Sequence, residues 1–190
     1  MRNIFTFVTK KRILYFILAI LAVVIFLYAL LWAFSFKTYP MKFGVSFSPE
    51  YAVYLGLNPD DTLDAILSLK PAFIRLAVPW NQVEPRERVY NFSTFDLMLN
   101  KAKKAGVPVV LTIGQKVPRW PECHFPSWTT QQLPEAREAD LLSYIKIVVN
   151  RYKDDENIDL WQVENEPFIN FTFGECAMFN SGSIAKEVAL

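Results

Sequence analysis

Charge is missing where a water-soluble chain would carry it. Ile13–Phe36 runs for 24 residues without an Asp, Glu, Lys or Arg. As a helix this stretch reaches about 36 Å, enough to cross a bilayer core of roughly 30 Å. It is apolar on every side, which argues against a buried core helix. No acidic residue precedes Glu50, whereas Arg2, Lys10, Lys11 and Arg12 stand before the apolar run. That bias predicts a cytoplasmic tail (1–12), a single membrane-spanning signal-anchor (13–36) in the cell membrane, and the remainder outside. A cleaved signal peptide is the competing reading, but the apolar core is long for one and no small-x-small site follows it. Glycine is scarce, at six residues, and no two form GxG, so the dinucleotide-binding fingerprint is absent. There is one histidine, His124, and only two cysteines, Cys123 and Cys176, without zinc-site spacing. No metal or cofactor is expected. A net charge of +1 with no basic run after the apolar segment excludes an electrostatic nucleic-acid binder.

What is present is the pattern of an α/β domain. A short link (37–41) leads to a domain over 42–190, long enough for one core and free of repeats or Ser/Gly linkers. Lys42–Ser48 alternates Phe43, Val45 and Phe47 with Gly44, Ser46 and Ser48, which reads as a strand. Asp60, Asp61 and Thr62 offer a helix cap before Leu63, Ile66, Leu67 and Leu69. Ala72–Val78 is a second strand. Ser93 or Thr94 is expected to cap a helix from about Phe95 to Ala105, closed by Gly106. Val107–Gly114 is a third strand, and Pro134–Tyr152 the longest helix of the domain. Ile158–Phe168 is a fourth strand, and a last helix begins near Ser183. Strand and helix alternate four times, which predicts a parallel sheet of βαβ units.

Two parallel folds compete. Helices cover both faces of a doubly wound sheet, so its strands are apolar on both sides. Here one face collects Gly44, Ser46, Ser48, Arg75, Thr112, Gln162, Glu164 and Glu166. Links entering the strands are short; links leaving them are long and carry Trp80, Trp120 and Trp128. Both features favour a closed barrel with its site where the strands end. A whole barrel takes roughly 250 residues, so the expectation is the N-terminal half, four βα units, of a TIM (β/α)8 barrel, preceded by one transmembrane helix. The chain stops within a helical pattern without a capping glycine, which reads as a truncated sequence.

In IDLWQVENEPF, Trp161 and Val163 fall on one face and Gln162, Glu164 and Glu166 on the other, before Pro167 stops the ladder. WQVENEP resembles the fourth strand of the clan A retaining glycoside hydrolases, which include cellulase-like family 5 enzymes and related β-galactosidases and xylanases. FIRLAVPWNQVEP, YNFSTFDLMLNKAKKAGVPVVLTIG and VPRWP follow their second and third strands in order. The resemblance implies cleavage of β-glycosidic bonds with retention. Glu166 would be the general acid/base, Asn165 would bind the hydroxyl beside the anomeric carbon, and Arg75 would steady the nucleophile. That nucleophile would be a glutamate on a seventh strand, beyond these 190 residues, so the chain alone is expected to be inactive. A glycosidic oxygen leaves poorly unless protonated, and a carboxylic acid can supply that proton near neutrality.

The structural reading of the same residues is a strand-end Glu166 paired with Arg75. Trp80, Trp120 and Trp128 could stack on sugar rings or merely pack loops, and Gln115 could reach a hydroxyl. Glu84 is read as fixing the WNQVEP loop, Glu164 as structural, and His124 as a surface-loop residue. Cys123 and Cys176 fall in loops that neighbour each other on a barrel rim. A disulfide there would close about 53 residues and add roughly 4 kcal/mol. The expected partners are a carbohydrate substrate and the membrane, with the oligomeric state open. The alternatives are a non-catalytic, membrane-tethered carbohydrate-binding relative and a half-barrel that dimerises.

Overall fold

The computed structural model describes residues 2–36, 40–119, 121–169 and 181–190, with only the backbone described over 2–10. Two compact units result, Met1–Met41 and Lys42–Leu190. The first is helix α1, Arg2–Ser35. It begins well before the apolar run because no proline or glycine interrupts residues 2–12. Lys11–Ser35 is long and apolar enough to cross a membrane.

The second unit is a four-stranded parallel sheet with intervening helices. Its strands are β1 (Gly44–Phe47), β2 (Phe73–Ala77), β3 (Val109–Ile113) and β4 (Ile158–Val163). Their spatial order is β1-β2-β3-β4, every neighbour parallel. Each βαβ crossover therefore steps the same way, without the reversal that defines a doubly wound sheet. The arrangement is consistent with part of a (β/α)8 barrel.

Register separates the two faces. Val45, Ile74, Val109 and Ile158 stand in one row, and Phe47, Leu76, Leu111 and Trp161 in another. All but Val45, together with Ile113 and Val163, join the core shared with the helices α3 (Pro59–Ser68), α5 (Ser93–Ala105) and α6 (Pro134–Tyr152). Ile74, Leu76, Val109, Leu111 and Ile113 are essentially buried, each worth about 1.5–3 kcal/mol of transfer free energy. The opposite face carries Ser46, Arg75, Thr112 and Gln162. A register shift between Val109 and Val110 leaves Asp159 unpaired on β4 and brings Gln162 opposite Thr112.

Local stops and starts follow side-chain chemistry. Asn58 caps α3, accepting from the amides of Asp60 (2.9 Å) and Asp61 (3.1 Å). The expected Asp60–Thr62 cap thus lies inside the first turn, where the acids favour the helix N-terminus instead. α5 starts at Ser93 itself, with Phe92 before it and no side-chain cap. Gly106 ends it in the left-handed conformation, φ 68°. The short helices α2 (Pro49–Tyr54) and α4 (Trp80–Val83) were not evident from periodicity, being two turns or fewer. The chain ends with α7, Ser181–Val188.

Candidate functional site

The polar face of the sheet is one connected layer. Arg75 Nε donates to Ser46 Oγ (2.8 Å), and an Arg75 terminal nitrogen donates to Gln162 Oε1 (3.3 Å). Thr112 Oγ1 donates to the same oxygen (3.3 Å). Gln162 Nε2 then donates to the Glu164 carbonyl (3.0 Å) and to Asn165 Oδ1 (3.3 Å). Partial burial and the nearby Arg119 lower the Arg75 pKa, while the Glu166 carboxylate acts against them. Asn165 and Glu166 thus stand beyond the end of β4, and Arg75, in the middle of β2, is linked to Asn165 through Gln162.

The turn after β4 is held by the loop after β3. The Glu164 amide donates to the Ile113 carbonyl (2.9 Å), and the Asn165 amide to the Lys116 carbonyl (2.7 Å). Glu164 Oε1 accepts from the Gln115 amide (2.8 Å) and Oε2 from the Lys116 amide (2.6 Å). Lys116, 2% exposed, donates from Nζ to the Glu166 carbonyl (3.2 Å) and pairs with Glu122 (3.5 Å). Glu164 and Glu166 both adopt positive φ, 59° and 51°. Such values are uncommon for residues with a Cβ and cost free energy that surrounding bonds must offset. They bring out Glu166 as an exposed side chain at the rim.

The same turn ends the strand's alternation, which corrects the placement of Glu164. Glu164 does not continue the inward row of Gln162. At 1% exposure it is enclosed by the β3 loop and by Glu187 of α7. Burial, then the neighbouring Glu187, push its carboxyl well above the usual range, against the two amide donors. Burial also raises Glu187, to about 7. The two carboxyls share a proton across their contact, which avoids holding two carboxylates side by side.

The remaining expected site residues separate. Trp80 is fully buried. It stacks on Tyr144 (5.7 Å) and donates from Nε1 to Glu84 Oε2 (2.8 Å), leaving no face for a sugar. The cause is the short helix α4, which turns the ring under the loop. Trp128 is half-buried and donates to the Glu84 carbonyl (3.1 Å). Glu84 also accepts from the Arg88 amide (2.7 Å), so it fixes its loop. Gln115 lies at the junction of the two loops through its backbone. His124 is buried rather than surface-exposed, because its amide donates to the Gln115 carbonyl (2.7 Å) and its carbonyl accepts from Asn81 (2.8 Å). Trp120 and Cys176 lie outside the described residues, so neither the stacking of Trp120 nor the Cys123–Cys176 pairing has a described geometry. Lys116 was missed. Its only sequence signal was a lysine directly after a strand-ending Gly-Gln.

Comparisons with known proteins agree with this architecture. The profile of glycoside hydrolase family 42, beta-galactosidase, matches residues 68–142. Among solved structures, GH5_18 from Streptomyces cattleya, in complex with GlcNAc, superposes with a TM-score of 0.58 at 15% identity, over 80% of this chain and 41% of that one. The exo-beta-1,4-mannosidase Op5Man5 from Opitutaceae bacterium strain TAV5 gives 0.53 at 15% identity, over 68% and 26%. Gan42B, a GH42 beta-galactosidase from G. stearothermophilus, gives 0.51 at 18% identity, over 66% and 22%. The resemblance to glycoside hydrolases holds in both sequence and structure. The chain spans between about a fifth and two fifths of the length of these structures.

Proposed function

We propose that this chain forms the N-terminal half of a (β/α)8 glycosidase domain tethered to the cell membrane by α1, with the domain outside. The intact protein cleaves β-glycosidic bonds with retention. One observation carries the reading: the β3 loop clamps the turn after β4, and Glu166 stands exposed next to Asn165, which Gln162 links to Arg75.

Glu166 protonates the leaving oxygen as the glycosidic bond breaks, then as carboxylate takes a proton from the attacking water. Asn165, positioned through Gln162, binds the neighbouring hydroxyl. Arg75, fixed by Ser46 and Gln162, holds the partner carboxylate supplied by the rest of the barrel. Cys123 and Cys176 join the two rim loops, and two free thiols on titration of the unreduced protein would exclude that link.

The test is Glu166→Gln in the intact protein. Turnover of aryl β-glycosides with poor leaving groups should fall about 10²–10⁴-fold. Substrates with activated leaving groups should lose far less in the glycosylation step. An equal response across leaving groups would reject Glu166 as the acid.

A further inference from the structure

A lysine is seldom enclosed in a protein unless its charge is paired, and Lys116 is 2% exposed. Among the described residues, its Nζ meets Glu122 Oε2 at 3.5 Å and the Glu166 carbonyl at 3.2 Å. The Glu122 side chain is itself only 15% exposed, and its Oε2 has no hydrogen-bond partner among the described residues. The charge of Lys116 is therefore what compensates it. A tight turn sets this carboxylate opposite the lysine. The Val117 amide donates to the Glu122 carbonyl (2.9 Å), and the Glu122 amide to the Arg119 carbonyl (2.7 Å). Lys116 forms an antiparallel bridge with Cys123, the next residue. Glu122 and Arg119 keep φ of 66° and 92°, both uncommon for residues with a Cβ.

Lys116 also touches three consecutive residues of the β4 turn. Its amide donates to Glu164 Oε2, its carbonyl accepts from the Asn165 amide, and its Nζ donates to the Glu166 carbonyl. The first two bonds use main-chain groups that almost any residue supplies. Only the third needs this side chain. The Glu166 carbonyl accepts as well from the Ile169 amide (3.3 Å), but that bond is internal to the turn and travels with it. The lysine bond ties the carbonyl to the loop after β3. Stability alone does not account for the pair, since apolar side chains of the same volume often stabilise a fold as well as a buried ion pair does.

We propose that Lys116 and Glu122 are positioning residues for the acid: together they fix the Glu166 main chain against the β3 loop and so set where its carboxyl stands during proton transfer. The donor must come within hydrogen-bond range of the leaving oxygen, and a displacement of about 1 Å can lower the rate about 10²-fold. Both side chains are largely buried, so they act through Glu166 and not on the sugar. The inference rests on the acid role of Glu166 proposed above and adds the residues that aim it.

The double variant Lys116→Met/Glu122→Gln in the intact protein tests it, because it removes both charges together and strands neither. Its urea midpoint should stay close to the parent's. For aryl β-glycosides with poor leaving groups, kcat should fall about 10–10²-fold with KM unchanged. Activated leaving groups should lose far less in the glycosylation step. Hydrogen exchange of the amides over 164–169 should quicken about tenfold, with β2 unaffected. Glu122→Gln alone is gentler on the fold, since its amide oxygen still accepts from Nζ. It should show the same pattern at about threefold, and it decides the matter if the double variant does not fold. Equal losses across leaving groups, a change confined to KM, or unaltered exchange in the turn overturns the positioning role. The acid reading fails separately: if Glu166→Gln responds equally across leaving groups while exchange in the turn still quickens without the pair, the acid assignment falls and the hold of Lys116 on the turn stands.

Discussion

Gly114 governs the geometry at the residue scale. It has φ 123°, a conformation that L side chains rarely adopt. A Cβ there would stand 2.3 Å from Glu164 Oε1. Gly114→Ala must therefore displace the carboxylate that holds the β3 loop and strain the backbone as well. The expected loss is about 2–3 kcal/mol, read as a lower midpoint in urea. Activity of the intact protein should fall too, because the turn bearing Glu166 depends on the same carboxylate. The sequence offered no hint of this role. Alternation placed Gln162 correctly on the polar face, since strand parity is local. It misplaced Glu164 because the positive φ that breaks parity comes from bonds to residues about 50 positions earlier. His124 was misjudged, and Trp80 was left open between stacking on a sugar and packing its loop, for a related reason. An aromatic or a histidine in a proline-rich loop reads as exposed until the loop is seen to fold back.

At the element scale, α7 is joined to the site by an acid pair. Glu187 meets Glu164, while Glu138 of α6, itself paired with Lys186 (2.7 Å), adds negative potential. Tyr144, whose hydroxyl donates to the Val78 carbonyl, faces Glu164 from α6. Both carboxyl pKa values are raised by folding, so the folded state binds more protons than the unfolded one. The pair's contribution is then fully present below the ordinary carboxylate pKa, about 4.3, and is lost as pH rises through about 7. Melting temperature should decline across that window for the parent chain. Glu187→Gln should flatten the decline, because an amide donates to Glu164 at every pH. An unchanged slope would show that the pair does not titrate on folding. The helices themselves were legible to different degrees. Pro134–Tyr152 matched its expected bounds, with a proline start and a long apolar stripe. α2 and α4 were invisible, since six and four residues give no period to read.

For the whole molecule, the decisive feature is the unbroken order of the four strands. The sequence pointed to it through the contrast of a polar and an apolar face. It could not reveal the hydrogen-bonded layer from Ser46 to Asn165, which joins residues from all four strands and the turn beyond. The proposed tether is open to a direct test at this scale. Protease added to intact cells should digest residues 42–190 and spare a small fragment containing α1. Full protection of the domain would place it on the cytoplasmic side and reverse the topology.

The clamp between the β3 loop and the β4 turn has one more consequence. Among the described residues, the bonds that align Glu166 come only from this quarter of the rim and the layer beneath it. The proposed proton donor, so supported, behaves as a self-contained cassette. Descendants could reshape the opposite wall to accept other saccharides, by drift or by recombination, without having to rebuild the acid each time.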